Sequence, residues 1–190
     1  MADEAHRDQG MDFTPADPAI WHTLSQCIDD ENDDAVMALI SAGDLGINET
    51  SEEGSALIYA ANFGRDDLIR RLLAAGADVN MPMCKVGVTP LHAAVSQDRG
   101  QTARLLVDSG ADVDARARMA VRSKFFYSPH CAEAALHLAA AYADERILRM
   151  LLEAGANPRI EDGIGAQPID YLRRHRNSRG DLRRLQEILE

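Results

Sequence analysis

Thr89-Pro90-Leu91-His92-Ala93-Ala94 is the stretch that decides how this chain folds, because it is not alone. Ser55-Ala56-Leu57-Ile58-Tyr59-Ala60 and Ala134-Ala135-Leu136-His137-Leu138-Ala139 are weaker copies of it. A second phrase follows each copy: Gly76-Ala77-Asp78-Val79-Asn80, Gly110-Ala111-Asp112-Val113-Asp114 and Gly155-Ala156-Asn157, always with 19 residues from the leucine to the glycine. The local chemistry is that of a helix pair. A glycine just past the last apolar residue suits a left-handed helix cap. A unit that recurs this way buries its apolar face only against its neighbours, so the chain is expected to stack into one elongated array.

The leucines give the register. Leu24 to Leu57 is 33 residues, Leu57 to Leu91 is 34 and Leu136 to Ile169 is 33. Leu91 to Leu136 is 45, which places an insertion in the connection between two repeats. The expected organisation is an unstructured acidic segment over 1–16, repeats over about 17–50, 51–83, 84–116, 130–161 and 162–190, and an insertion over 117–129. The first repeat has lost its signature (His22-Thr23-Leu24-Ser25), and the last replaces it with Gln167-Pro168-Ile169-Asp170. Degenerate ends are expected where one face meets water instead of a neighbour. Asp98 occupies the place that Gly64 holds in the preceding repeat.

Over about 17–190 the chain resembles the ankyrin-repeat family, on the strength of Thr89–Ala94, its partner phrase Gly110–Asp114 and three repeats in register. The resemblance implies an all-α solenoid of antiparallel helix pairs with β-hairpin-like fingers. It also implies protein binding through the fingertips and the concave face of the first helices, with no family-wide catalytic residue or cofactor. It makes His92 and His137 structural, each bonding between adjacent repeats, and makes Thr89 and Pro90 the start of the helix.

In this family the fifth and sixth residues after the leucine face the groove. Here those pairs are Asp29-Asp30, Asn62-Phe63, Ser96-Gln97, Ala141-Tyr142 and Arg174-His175. The stripe runs from acidic, through the aromatic Phe63 and Tyr142, to basic. The insertion is the second candidate contact. Arg118, Arg122, Lys124, Phe125, Phe126 and Tyr127 combine aromatic and basic side chains, the residue types that dominate interface hot spots. A long connection in a compact scaffold usually carries function. The competing reading is that Phe125, Phe126 and Tyr127 pin the insertion to the protein's own core.

Charge is uneven. The formal net charge is −11, and residues 1–53 hold 14 acids against one base, Arg7. A solubilising end and electrostatic steering of a basic partner both fit that asymmetry. The C-terminal arginines (Arg173, Arg174, Arg176, Arg179, Arg183, Arg184) form a local cluster on an acidic chain, which argues against nucleic acid. No apolar run reaches the ~18 residues that cross a bilayer, and no secretory leader is visible, so neither a membrane nor export is expected. Cys27, Cys84 and Cys131 are an odd number without zinc spacing, as in a cytoplasmic protein with free thiols. Cys27, three residues after Leu24, is expected in the core. His130, Cys131, Glu133 and His137 are possible ligands but lack a paired arrangement.

The expectation is therefore a non-enzymatic interaction module without metal or cofactor. The preferred role is a small stoichiometric inhibitor, such as an immunity protein or masking regulator, on one protein partner that is basic or carries a charge dipole. The alternatives are an adaptor or secreted effector binding a host protein, and an enzyme with an unrecognised site in the insertion. The insertion could equally join two copies of the chain.

Overall fold

The computed structural model describes residues 18–51, 54–83, 86–117, 121–122, 127–128, 132–142, 144–175 and 187–189. The architecture is the expected all-α solenoid. Helices pair as α1 (Pro18–Asp29) with α2 (Asp33–Ala42), α3 (Ala56–Phe63) with α4 (Asp66–Ala74), α5 (Pro90–Ser96) with α6 (Gly100–Asp108), and α7 (Ala135–Tyr142) with α8 (Glu145–Glu153). A ninth helix, α9 (Pro168–His175), opens the last unit. The first helices α1, α3, α5, α7 and α9 pack in succession, and α2, α4, α6 and α8 form a parallel outer row.

Two sequence features set this packing. Ala60, Ala61, Ala93, Ala94, Ala139 and Ala140 are fully buried and let neighbouring first helices approach closely. Leu57, Leu91 and Leu136 fill the core between them. On the outer row the apolar residues recur at helical spacing, as in Leu68, Ile69 and Leu72 of α4 or Ile147, Leu148 and Leu151 of α8. Each outer helix from α4 on is followed by a glycine in the left-handed region: Gly76, Gly110 and Gly155 at φ 96°, 93° and 91°.

The degenerate first repeat differs for a visible reason. Having lost the Thr-Pro start, α1 begins earlier, at Pro18, and runs 12 residues against 8 in α3 and 7 in α5. Trp21, Leu24 and Ile28 bury its inner face. Cys27 is half-buried, packed against the edge of this core and not enclosed by it. Asp98 takes the left-handed backbone of Gly64, at φ 56° against 72°. Its carboxylate accepts the Asp144 N–H at 2.8 Å, which ties the third repeat to the start of α8.

Candidate partner-binding surface

The joints between repeats hold the candidate surface in place. In the third repeat the Thr89 and Ala134 region shows how the signature works. The His92 Nδ1 lies 2.8 Å from the Thr89 hydroxyl and accepts the Thr89 N–H. With Nδ1 accepting, Nε2 carries the proton and donates to the Glu133 carbonyl at 3.0 Å. His137 repeats the pattern: its Nδ1 accepts the Ala134 N–H, and Nε2 donates to the Ala166 carbonyl at 3.1 Å. Burial is the chief reason that both imidazoles are held neutral. His92 is pushed down to about 4, and His137 also lies below its ordinary value. Both histidines have their two nitrogens committed to structure.

A second ladder runs along the finger bases. Asn48 Oδ1 accepts the Asp78 N–H at 2.7 Å while its Nδ2 donates to the Gly76 carbonyl. Asn80 does the same toward Asp112 and Gly110. Asp114 accepts the Asn157 N–H at 2.9 Å, and a carboxylate has no donor to offer in return.

The insertion continues this row as a β-hairpin. Arg116 bridges Ala134, and the Ala117 N–H donates to the Glu133 carbonyl at 3.0 Å. Farther out, β1 (Val121–Arg122) pairs antiparallel with β2 (Tyr127–Ser128), with Val121 opposite Ser128 and Arg122 opposite Tyr127. The register slips by one residue between the two pairings. The slip is taken up where Ala132 and Glu133 both face Ala117, with Ala132 in the left-handed region at φ 59°. The hairpin therefore lengthens one finger and leaves the joint beneath it intact: His92 reaches Glu133 across a separation of 41 residues. Arg122 and Tyr127 are cross-strand neighbours. Arg118, Lys124, Phe125 and Phe126 lie outside the described residues.

The stripe on the first helices is not exposed along its whole length: two of its members, Asn62 and Ala141, are buried. Asp29 and Asp30 are exposed at the end of α1. Asn62 is buried, at 7% exposure, and not on the groove surface. Ala141, its counterpart in α7, is buried too, at 5%. The physical reason is stacking: α3 and α7 each pack between two neighbouring first helices, which cover the fifth residue after the leucine. Among the described residues Asn62 Oδ1 has no hydrogen-bond partner. The sixth position is more open. Phe63 is half-buried against the core, Gln97 is exposed and Tyr142 is 43% exposed. Ser96 is half-buried, and its hydroxyl donates back to the Ala93 carbonyl at 2.9 Å. Arg174 and His175 end α9, and their side chains lie outside the described residues.

Several first-repeat acids turn out to be partners inside the molecule. Arg65 donates to Asp33 at 2.9 Å and to the Glu31 carbonyl at 3.1 Å. Its Nη1 is buried 3.6 Å from the Glu31 carboxylate, within ion-pair reach but too far for a hydrogen bond. Arg71 pairs with Asp34 at 2.8 Å. Asp29, Asp30 and Asp44 remain exposed on the same unit.

Two features escaped the sequence. Ile164, on the turn before α9, is 64% exposed. Beneath it Glu133, Asp162 and Tyr171 form a buried polar cluster. The Gly163-Ile164-Gly165 spacing marks the turn, but nothing local marks Tyr171 as the partner of a residue 38 positions earlier. Among the described residues no group of His, Cys, Asp and Glu is arranged to hold a metal ion, and no helix is long and apolar enough to cross a membrane. His130 and Cys131 lie outside the described residues.

Comparison with known proteins agrees with the repeat geometry. The ankyrin-repeat model in three copies matches residues 24–117, and a single ankyrin repeat matches 133–163. The residues between the two matches are those of the hairpin. The chain is 36% identical over 126 residues to neurogenic locus notch homolog protein 1 of Mus musculus, covering 65% of this chain and 4% of that protein. It is 32% identical over 168 residues to notch homolog protein 2 of Homo sapiens, covering 73% and 7%. An ankyrin repeat-containing protein of Treponema pallidum is 28% identical over 154 residues, covering 81% of this chain and 48% of that one. This chain thus spans less than half the length of each of these relatives. With stacked helix pairs, histidine joints and matched repeats in register, the chain belongs to the ankyrin-repeat family, and its repeats form a protein-interaction module.

Proposed function

We propose that this module acts without catalysis as a stoichiometric inhibitor of one protein partner, engaged mainly through the extended hairpin. The observation that carries the reading is the hairpin's placement. A dozen added residues lengthen a single finger while the His92–Glu133 joint beneath it keeps its geometry. A rigid base with an aromatic and basic tip is what a binding loop needs, because little is lost in ordering it. Arg118, Arg122, Lys124, Phe125, Phe126 and Tyr127 supply hot-spot residue types. Phe63, Tyr142 and Gln97 extend the contact along the first helices, with Asp29 and Asp30 favouring a basic approach at one end and Arg174 and His175 an acidic one at the other. A partner with a charge dipole fits that arrangement.

The adaptor reading rests on a different observation. The hairpin and the row of first helices are two different elements of the repeat stack, and two elements can engage two partners at once. The test is capture from source cells with tagged full-length protein, beside a variant whose residues 118–129 are replaced by a short glycine-containing turn. One stoichiometric partner, lost on replacement, supports the inhibitor reading. Several partners, each lost through a different surface, support the adaptor. Capture of a second copy of the chain alone makes the hairpin a dimer contact. An unchanged single partner overturns the hairpin's role.

A further inference from the structure

Ile164 is 64% exposed at the head of a turn that fixes its backbone. The Asp162 N–H donates to the Ala166 carbonyl at 2.9 Å, and the Gly165 N–H donates to the Asp162 carbonyl at 3.2 Å. The Asp162 carboxyl closes the turn from inside: its Oδ1 accepts the Ile164 N–H at 2.9 Å and the Ala166 N–H at 2.8 Å. Val86 holds the matching place in the third repeat, before a left-handed glycine and ahead of the signature leucine. It is half-buried and packs against the core. Ile164, before Gly165 at φ 78°, is turned the other way, into solvent. A β-branched side chain on a fixed backbone has few rotamers to lose, so covering it with a partner costs little order.

The same turn is tied to the hairpin. Asp162 Oδ2 lies 2.7 Å from the Tyr171 hydroxyl, and that hydroxyl lies 2.7 Å from Oε1 of Glu133 at the hairpin's foot. The Glu133 carbonyl receives the Ala117 N–H from the opposite strand. On the finger row Asp114, just before the hairpin, accepts the N–H of Asn157 in the finger that carries Ile164. Hairpin and turn are thus consecutive fingers with a shared buried brace. We propose that Tyr171 yokes the two into one contact surface on which Ile164 is the apolar anchor. The protein that the hairpin engages meets this anchor with an apolar recess, beside carboxylates that answer Arg118, Arg122 and Lys124 of the insertion. The inference rests on the hairpin reading and extends it to a residue outside the insertion.

One exposed aliphatic residue needs no explanation by itself. What sets Ile164 apart is the brace beneath it, which makes the foot of the hairpin and the turn open and close together. The Tyr171 ring stands edge-on to His137 at 5.0 Å. Tyr171→Phe keeps that ring contact and removes the hydroxyl that spans the two fingers.

The test has two arms, both on the full chain. In free wild type, amide exchange followed against urea should give Ala117 and Ala132 of the foot and Gly165 and Ala166 of the turn one common opening. Distinct openings for foot and turn overturn the yoke, whatever any variant does. Tyr171→Phe should quicken exchange at all four about fivefold and leave Ile69 of α4 unchanged. Quickening confined to the turn also overturns the yoke. The second arm places the photocrosslinking residue p-benzoylphenylalanine at position 164, and separately at position 127, in source cells. The expected result is an adduct from each position with the same protein, the one from 164 mapping to apolar side chains. An adduct from 127 and none from 164 overturns the anchor and leaves the hairpin reading standing. An adduct from 164 alone overturns the hairpin reading and with it the two-finger surface, and no adduct from either overturns both. With the crosslinked protein purified, Ile164→Ser should lower its affinity about tenfold while Tm stays unchanged. Unchanged affinity overturns the anchor.

Discussion

The two ends of this solenoid solve the same problem with opposite chemistry. The first and second repeats are joined near the surface by ions: Arg65 on Asp33 and Glu31, Arg71 on Asp34. The third, fourth and fifth are joined in the interior by buried polar groups: His92, His137 and the Glu133–Tyr171–Asp162 cluster. A surface ion pair answers to salt and contributes little where water reaches it. A buried polar group answers to pH and is costly to leave unpaired. The end with exposed acids is therefore the more forgiving one, and the end that carries the hairpin is the one fixed by geometry.

The largest way to break that contrast is at His92. His92→Ala removes a side chain that is 2% exposed, takes the Thr89 N–H's acceptor away and leaves the Glu133 carbonyl only the Ala117 N–H. The expected cost is about 3 kcal/mol, from a buried cavity and lost hydrogen bonds together. Urea unfolding at pH 7.5 measures it. A cost under about 1 kcal/mol would mean that the joint survives on alanine packing alone.

Acid should act on the same joint without a mutation. The folded His92 value, about 4, lies below the unfolded 6.5, so the fold excludes the charged form. The stability that follows is whole above about pH 6.5 and is lost as pH falls toward about 4, amounting to about 3 kcal/mol. Unfolding free energies of wild type and His92→Ala should converge across that window. His137 should add to the loss in the same direction. Parallel curves would place the acid sensitivity outside His92.

How far the sequence led follows the same division. The signature and its partner phrase made the helix pairs legible, because capping, glycine turns and leucine spacing are local signals. They also made His92 and His137 legible as joints. The hairpin was visible only as an insertion rich in aromatic and basic residues. Its strands are two residues each and lack an Asn-Gly or Asp-Gly turn, so no period-two signal announces them. Asn62 was misplaced because its burial comes from the repeats stacked on either side, which no single repeat displays. Arg65 and Tyr171 owe their roles to partners 32 and 38 residues away. Reading those pairings requires the stacking itself.

The ionic end should respond more weakly. The Arg65–Asp33 pair is sheltered, with side chains 17% and 19% exposed, and Arg65 also caps the Glu31 carbonyl. Arg65→Ala is expected to cost about 1–2 kcal/mol, since it strands a partly buried carboxylate and a carbonyl. The Arg71–Asp34 pair, mostly in water, should be worth a few tenths of a kcal/mol and should vanish near 1 M salt. Urea unfolding at low and high salt separates the two. Equal losses for Arg65→Ala and Arg71→Ala would remove the distinction between a sheltered and an exposed pair.

The smallest effect sharpens the boundary between the two ends. Asn48 and Asn80 each accept an N–H from the next finger and donate back to a glycine carbonyl, at 3.4 Å to Gly76 and 3.2 Å to Gly110. Asp114, the last such rung before the hairpin, accepts the Asn157 N–H but cannot donate toward Gly155. Asp114→Asn offers the missing hydrogen while keeping the acceptor. The exchange gives up a charged acceptor for a neutral one, so the net gain should be modest, about 0.5 kcal/mol, read as a rise of one or two degrees in Tm. Asn80→Asp, the reverse change one rung earlier, should lose a similar amount. If Asn80→Asp loses it and Asp114→Asn gains nothing, the rung chemistry is sound and the insertion has carried the Gly155 carbonyl out of reach. The hairpin would then disturb the ladder beside it even though it spares the histidine joint below.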